Sequence, residues 1–194
     1  MTTIIKTKKS KAIYYESFYN EHRANRLLTK CMKLELENHP RVHMGIMKRS
    51  IGFFSNEGEG YKYTGQMTTS QPIPPFLQKV LDRVNRKMGT SFNGILINRY
   101  ENGSEKIGAH SDNDKELSGD KVVGISLGAT RKIRFRGITN KGKNAIAGNF
   151  IDYPLEHGSL YTMEGMFQKE FTHEVPVEKK IQSIRISLTF RQHD

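Results

Sequence analysis

The spacing of apolar residues changes near residue 90, and the change divides the chain. From about Asn20 to Glu37, Ala24, Leu27, Leu28, Cys31 and Leu34 recur at intervals of three and four, which predicts one face of a helix. A second helix is marked more sharply: Pro74 and Pro75 open it, Phe76, Leu77, Val80, Leu81, Val84 and Met88 form its stripe, and Gly89 ends it. The stretch between them, 44–69, is rich in glycine and aromatics and predicts hairpins. After residue 90, short apolar runs separated by Gly, Asn and Asp predict strands at 95–100, 122–127, 133–136, 149–153, 159–163, 171–175 and 184–191. The expected class is α+β, a largely β C-terminal half of sandwich or barrel type with an N-terminal helical layer. No internal repeat or low-complexity linker interrupts it.

Length and charge narrow the picture. With 194 residues, 36% of them hydrophobic, the chain suffices for one sizeable core and is short for two. One domain is expected over 13–194, with hairpins at about 40–70 and the β-rich core at about 92–194. It follows a basic, flexible tail over 1–12 that holds Lys6, Lys8, Lys9 and Lys11. Lys and Arg number 31 against 20 Asp and Glu, a net charge of +11, which favours an anionic partner such as nucleic acid. Solubility alone is an equally ordinary source of such charge. The chain has no 18-residue apolar run, no basic amphipathic stripe and no lipidation signal, which speaks against a membrane. It also lacks the apolar stretch of a secretory signal, so an intracellular protein is expected. Cys31 is the only cysteine, which excludes an intramolecular disulfide and disfavours a cysteine-based zinc site; its spacing with Leu27, Leu28 and Leu34 makes it a small buried hydrophobe.

Three groups of residues carry candidate chemistry. His110-Ser111-Asp112 puts an imidazole and a carboxylate two residues apart, so that in extended chain both face one metal. Alone, the pair is equally at home in a surface turn. A site of two His and one carboxylate needs a second His from another strand, and two candidates exist: His173 within a strand and His157 at a turn before one. The chemistry does not choose decisively, although a strand holds a ligand more rigidly. In the last strand, Ile184, Ile186, Leu188 and Phe190 alternate with Arg185, Ser187, Thr189 and Arg191. The polar face of such a strand is usually solvated. Two guanidinium groups on it are also suited to gripping the ends of a small dicarboxylate. Asn98 and Tyr100 lie on one face of an earlier strand, where an amide and a phenol can bond carboxylate oxygens or simply the backbone.

These residues together resemble the AlkB family of iron(II)/2-oxoglutarate dioxygenases, in particular its DNA-repair dealkylases. The resemblance runs from about Met47 to Arg191. It rests on Ile97-Asn98-Arg99-Tyr100, Ile107-Gly108-Ala109-His110-Ser111-Asp112, Val123-Gly124-Ile125-Ser126-Leu127-Gly128, Leu155-Glu156-His157-Gly158-Ser159-Leu160, His173, and Arg185-Ile186-Ser187-Leu188-Thr189-Phe190-Arg191, in that order. It implies His110, Asp112 and His173 as iron ligands, the twelve-residue step from His173 to Arg185 excluding His157. It implies Arg185 at the distal carboxylate of 2-oxoglutarate, Arg191, Asn98 and Tyr100 around its other oxygens, and Thr189 in support. The implied fold is a double-stranded β-helix, or jelly roll, with N-terminal helices packed on the major sheet.

For substrate, the resemblance implies Tyr61 and Tyr63 stacking on a flipped base, Asp114 meeting a cationic methylated ring, and Arg49 at the phosphate backbone. Asn113 stands where close relatives carry Asp. The implied activity is oxidative removal of alkyl groups from bases of the 1-methyladenine and 3-methylcytosine type in DNA, with Fe(II), 2-oxoglutarate and O2. No obligate protein partner is evident, and a monomer is expected. The alternatives are the same chemistry on RNA or protein, and a non-catalytic nucleic-acid-binding jelly roll.

Overall fold

The first helix begins, and the second begins and ends, on local chemistry. In the computed structural model, which describes residues 1–42, 45–56, 61–63, 66–112, 117–138 and 150–193, the Asn20 side chain accepts from the Arg23 N–H and starts α1 (Glu21–Cys31). Helix α2 (Pro75–Met88) has proline in its first turn and ends at Gly89, whose left-handed φ of 63° suits a residue without Cβ. Helix α1 stops at Cys31, six residues before the end read from its periodicity; Leu34 still packs against the core from the following turn.

The strands are β1 (Thr2–Lys6), β2 (Ser10–Tyr15), β3 (Arg41–Val42), β4 (Gly45–Ile46), β5 (Ser50–Ser55), β6 (Tyr61–Tyr63), β7 (Gln66–Thr68), β8 (Ser70–Gln71), β9 (Gly94–Tyr100), β10 (Ile107–His110), β11 (Leu117–Gly128), β12 (Arg131–Gly137), β13 (Ile151–Leu155), β14 (Leu160–Gly165), β15 (Phe171–Val175) and β16 (Arg185–His193). A short helix, α3 (Phe167–Glu170), precedes β15. Eight strands form a major sheet in the order β1-β2-β14-β11-β16-β9-β5-β8, and four form a minor sheet, β10-β15-β12-β13. All pairings in both are antiparallel except β5 with β8. β3 pairs with β4 and β6 with β7, two of the hairpins expected between the helices; β5, from the same stretch, instead joins the major sheet.

Alternation along the strands sorts the two faces of the major sheet. Ile95 and Ile97 of β9, Val123, Ile125 and Leu127 of β11, and Ile186, Leu188 and Phe190 of β16 share one hydrophobic cluster with Ala24, Leu27 and Cys31 of α1 and Leu77, Val80, Leu81 and Val84 of α2. The intervening residues point the other way. There Val122, Tyr161 and Met163 join Ile133, Phe135, Phe167 and Phe171 in a second cluster against the minor sheet. The polar face of β16 is therefore enclosed rather than solvated, and every residue from Arg185 to Arg191 is buried.

The N-terminal segment corrects the sequence reading. Residues 1–12 were expected to be a flexible tail, yet Thr2–Lys6 and Ser10–Tyr15 are strands, and β2 pairs with β14 from Leu160↔Tyr15 to Gly165↔Ser10. Lysines dominate the segment's composition, but they alternate outward while Ile5, Ser10, Ala12 and Tyr14 are buried. Thr7 and Ser10 donate their hydroxyls to the Glu170 carboxylate at 2.8 and 2.6 Å, fixing the β1–β2 turn to α3.

Candidate metal and diacid site

Two neighbouring strands of the minor sheet bring the histidines together. His110 closes β10, His173 sits mid-strand in β15, and the two are direct cross-strand partners, their ring centroids 4.3 Å apart. Asp112 follows β10 and lies beside both: its Oδ1 is 3.6 Å from His110 Nε2 and its Oδ2 3.6 Å from His173 Nε2. One ligand atom from each of the three residues falls within 4.8 Å of the others. His157 does not join them. Its Nδ1 accepts from the Gly128 N–H at 2.8 Å and its Nε2 lies 3.1 Å from Asn25 Oδ1, so both ring nitrogens serve the fold.

The surroundings set the charge and tautomer of each ligand. His110 Nδ1 donates to the Gly108 carbonyl at 2.8 Å, which leaves Nε2 with its lone pair toward Asp112 and His173. Burial works against the charged form of Asp112, but Arg191, with His173 and His110 behind it, outweighs burial and holds the carboxyl below its ordinary value. Arg191 Nη2 donates to Asp112 Oδ1 at 2.6 Å. Burial, and next the neighbouring His110, push His173 down to about 3; burial also lowers His110, opposed by Asp112. The site therefore combines an ionised carboxylate with two neutral imidazoles, the state in which all three can bind a cation.

A narrow cavity runs from these residues across the inner face of the major sheet, lined there by Asn98, Tyr100, Arg185, Thr189 and Arg191. Register explains the gathering: Arg185 stands opposite Tyr100, and Ser187 opposite Asn98. Arg185 is 1% exposed, donates from Nε to Ser126 Oγ at 3.0 Å, and lies 5.4 Å from the centre of the Tyr100 ring. Burial lowers its pKa, opposed by Tyr100 and Tyr161. Asn98 Oδ1 accepts from Arg49 Nε at 2.6 Å, leaving the amide NH2 as the group it can offer.

Arg49 thus corrects another expectation. It was placed at a nucleic-acid surface, but it is only 4% exposed and holds Asn98. Tyr61 and Tyr63 lie on β6, in register with Thr68 and Gln66 of β7. Asp114 lies outside the described residues. Three contributors went unread in the sequence. Ser126, which accepts from Arg185, was legible in principle from alternation with Val123, Ile125 and Leu127. Gln168 accepts the Asp112 N–H at 2.9 Å, and Tyr161 lines the cavity from β14; neither carries a signal of spacing or composition.

The profile of the 2OG-Fe(II) oxygenase superfamily matches residues 12–191. The chain belongs to that superfamily. Among curated oxygenases it is 36% identical over 146 residues to the DNA oxidative demethylase ALKBH2 of Bos taurus, covering 74% of this chain and 52% of that one. It is 33% identical over 138 residues to the human alpha-ketoglutarate-dependent dioxygenase alkB homolog 3, covering 66% and 47%. The chain spans about half the length of these relatives, and it is an AlkB-like member of the superfamily. Its fold is shared with the structure of OsALKBH1 at a TM-score of 0.67 and 19% identity, over 93% of this chain and 97% of that one, which makes the two-sheet arrangement an oxygenase jelly roll.

Membership of the oxygenase superfamily implies iron(II), 2-oxoglutarate and O2, and the residues present fit them. Asp112 Oδ2 is buried without a hydrogen-bond donor, as suits an oxygen reserved for a cation. Arg185 Nη1 is buried without an acceptor in the same cavity, as suits a guanidinium reserved for a carboxylate. No helix among the described residues is long and apolar enough to cross a membrane.

Proposed function

We propose that this oxygenase removes alkyl groups from N-alkylated bases, of the 1-methyladenine and 3-methylcytosine type, in DNA. One observation carries the proposal: a His-Asp-His cluster and a buried guanidinium whose Nη1 lacks an acceptor line one cavity. Relatives named as DNA oxidative demethylases and a net charge of +11 support nucleic acid as the substrate. When bound, iron(II), 2-oxoglutarate and O2 supply hydroxylation of an N-methyl carbon, with succinate, carbon dioxide and formaldehyde as products.

The chain's own residues do the rest. His110, Asp112 and His173 would hold the iron through two imidazole nitrogens and one carboxylate oxygen. Arg185 would bind the distal carboxylate of 2-oxoglutarate, and Arg191, Asn98 and Tyr100 would hold its other oxygens, Arg191 keeping Asp112 ionised as it does so. Thr189 closes the wall between the two arginines. Enclosure by two sheets excludes water from the reacting atoms. Tyr61 and Tyr63, in the hairpins at about 40–70, grip the base taken out of its stack, and Asp114 favours a cationic ring over a neutral one. We take residues 13–194, joined by the N-terminal strands, as one domain with its helices backing the major sheet, working as a monomer inside the cell.

Mass spectrometry of oligonucleotides bearing 1-methyladenine or 3-methylcytosine, after incubation with enzyme, iron(II), 2-oxoglutarate and ascorbate, tests this directly. Loss of the methyl group is expected, together with release of formaldehyde and succinate. His173→Ala is expected to abolish turnover and leave oligonucleotide affinity largely intact. Single-stranded DNA, duplex DNA and RNA presented side by side define the substrate, and a preference for unmodified protein would reject the proposal.

A further inference from the structure

Tyr161 stands apart from the other residues around the cavity because it reaches it from two strands away. On the major sheet, Tyr161 of β14 pairs with Gly124 of β11, and Gly124 pairs on its other side with Thr189 of β16. Paired residues in antiparallel strands point to one face, so Tyr161, Gly124 and Thr189 form a row across the inner face. Adjacent strands lie about 4.8 Å apart, which a side chain standing upright on β14 does not bridge. Tyr161 bridges it by lying flat over Gly124. A Cβ at position 124 would fall on the Tyr161 ring and come within 2.6 Å of its hydroxyl. The absence of a side chain there is what gives the phenol its course across β11.

The ring arrives in the cavity shared by Arg185 and Thr189. Tyr161 is 6% exposed, and among the described residues its hydroxyl has no hydrogen-bond partner. Burial pushes the phenol up to about 12, with Arg185 the first of the charges that act on it. The O–H therefore keeps its proton and remains a donor, beside a guanidinium whose Nη1 also lacks an acceptor. Two unengaged donors in one enclosed space call for one anionic acceptor, because burying either alone is costly.

We propose that the Tyr161 hydroxyl, carried across β11 over Gly124, is a second donor to the carboxylate that Arg185 binds, and that the pair makes the pocket selective for a dicarboxylic 2-oxo acid. This rests on the 2-oxoglutarate assignment above. Tyr161 is on this account a cofactor-binding residue, and Gly124 the position that seats it.

Calorimetric titration of the full chain, loaded with manganese(II) so that no turnover occurs, separates the possibilities. Wild type, Tyr161→Phe, Gly124→Ala and the double variant are each titrated with 2-oxoglutarate and with 2-oxovalerate, which has the same chain length but a methyl in place of the distal carboxylate. Tyr161→Phe keeps the ring and is expected to weaken 2-oxoglutarate about tenfold, while 2-oxovalerate affinity stays within about twofold. Gly124→Ala displaces the ring and is expected to weaken 2-oxoglutarate similarly, with the double variant no weaker than the weaker single variant. Wild-type affinity for 2-oxoglutarate in Tyr161→Phe, or equal losses for both acids, overturns the role of the hydroxyl. Additive losses in the double variant overturn the role of Gly124 as its seat. Failure of the wild-type, metal-loaded protein to bind 2-oxoglutarate overturns the cofactor assignment itself, and this inference with it.

Discussion

Arg191 on β16 donates from Nη2 to Asp112 Oδ1 over 2.6 Å, so one carboxylate oxygen faces a fixed cation while the other, Oδ2, is buried without a donor. The contact joins the last strand of the major sheet to the turn after β10, and it prepares Asp112 for a metal before any metal arrives. Arg191→Ala leaves that carboxylate buried without its counter-charge and is expected to cost about 3–5 kcal/mol of stability in the metal-free protein. Urea denaturation of Arg191→Ala, Asp112→Asn and the double variant measures it. The double variant should lose less than the sum, and simple additivity would contradict the coupling.

Arg49 is tied to Asn98 inside the protein and is expected to act on the diacid rather than on nucleic acid. Arg49→Ala frees the Asn98 amide to rotate, so 2-oxoglutarate binding should weaken several-fold. The slope of oligonucleotide affinity against salt should stay as in wild type, because no phosphate contact is lost. A shallower slope would return Arg49 to the substrate interface.

Acid should act on the metal-free protein through His173. Folding pushes this imidazole down to about 3 from an ordinary 6.5, burial being the larger cause and His110 the next. Between those values the unfolded chain binds a proton that the folded chain excludes. Stability is therefore complete above about pH 6.5 and declines as pH falls toward 3. Denaturation midpoints followed from neutral to acid pH should show the decline in wild type and a flatter curve in His173→Ala.

His157 separates structure from chemistry. It holds the Gly128 N–H and faces Asn25, so His157→Ala should cost about 1–2 kcal/mol in stability while metal stoichiometry stays unchanged. Loss of metal in this variant would make the histidine something more than a support.

Much of the site is local pattern, and local pattern is legible. His110-Ser111-Asp112, the alternation from Ile184 to Arg191, and the pair Asn98 and Tyr100 each follow from the two-residue period of extended chain, as the second helix follows from its prolines, stripe and glycine. Family resemblance, rather than chemistry, chose His173 over His157. The C-terminal end of helix α1, the strands in the lysine-rich N-terminus and the small helix α3 were missed, because each depends on what packs against it.

Sequence by itself determined which side chains could share a face: two imidazoles and a carboxylate able to meet one cation, and two arginines on one side of a single strand. Tertiary structure decided whether those faces were dry, and which groups filled them. Enclosure of the polar side of β16, the turn of Arg49 inward to Asn98, and the path of Tyr161 over Gly124 all arise between strands distant in the chain. Periodicity acts over neighbouring residues, whereas burial and cross-strand register come into being only when the sheets close.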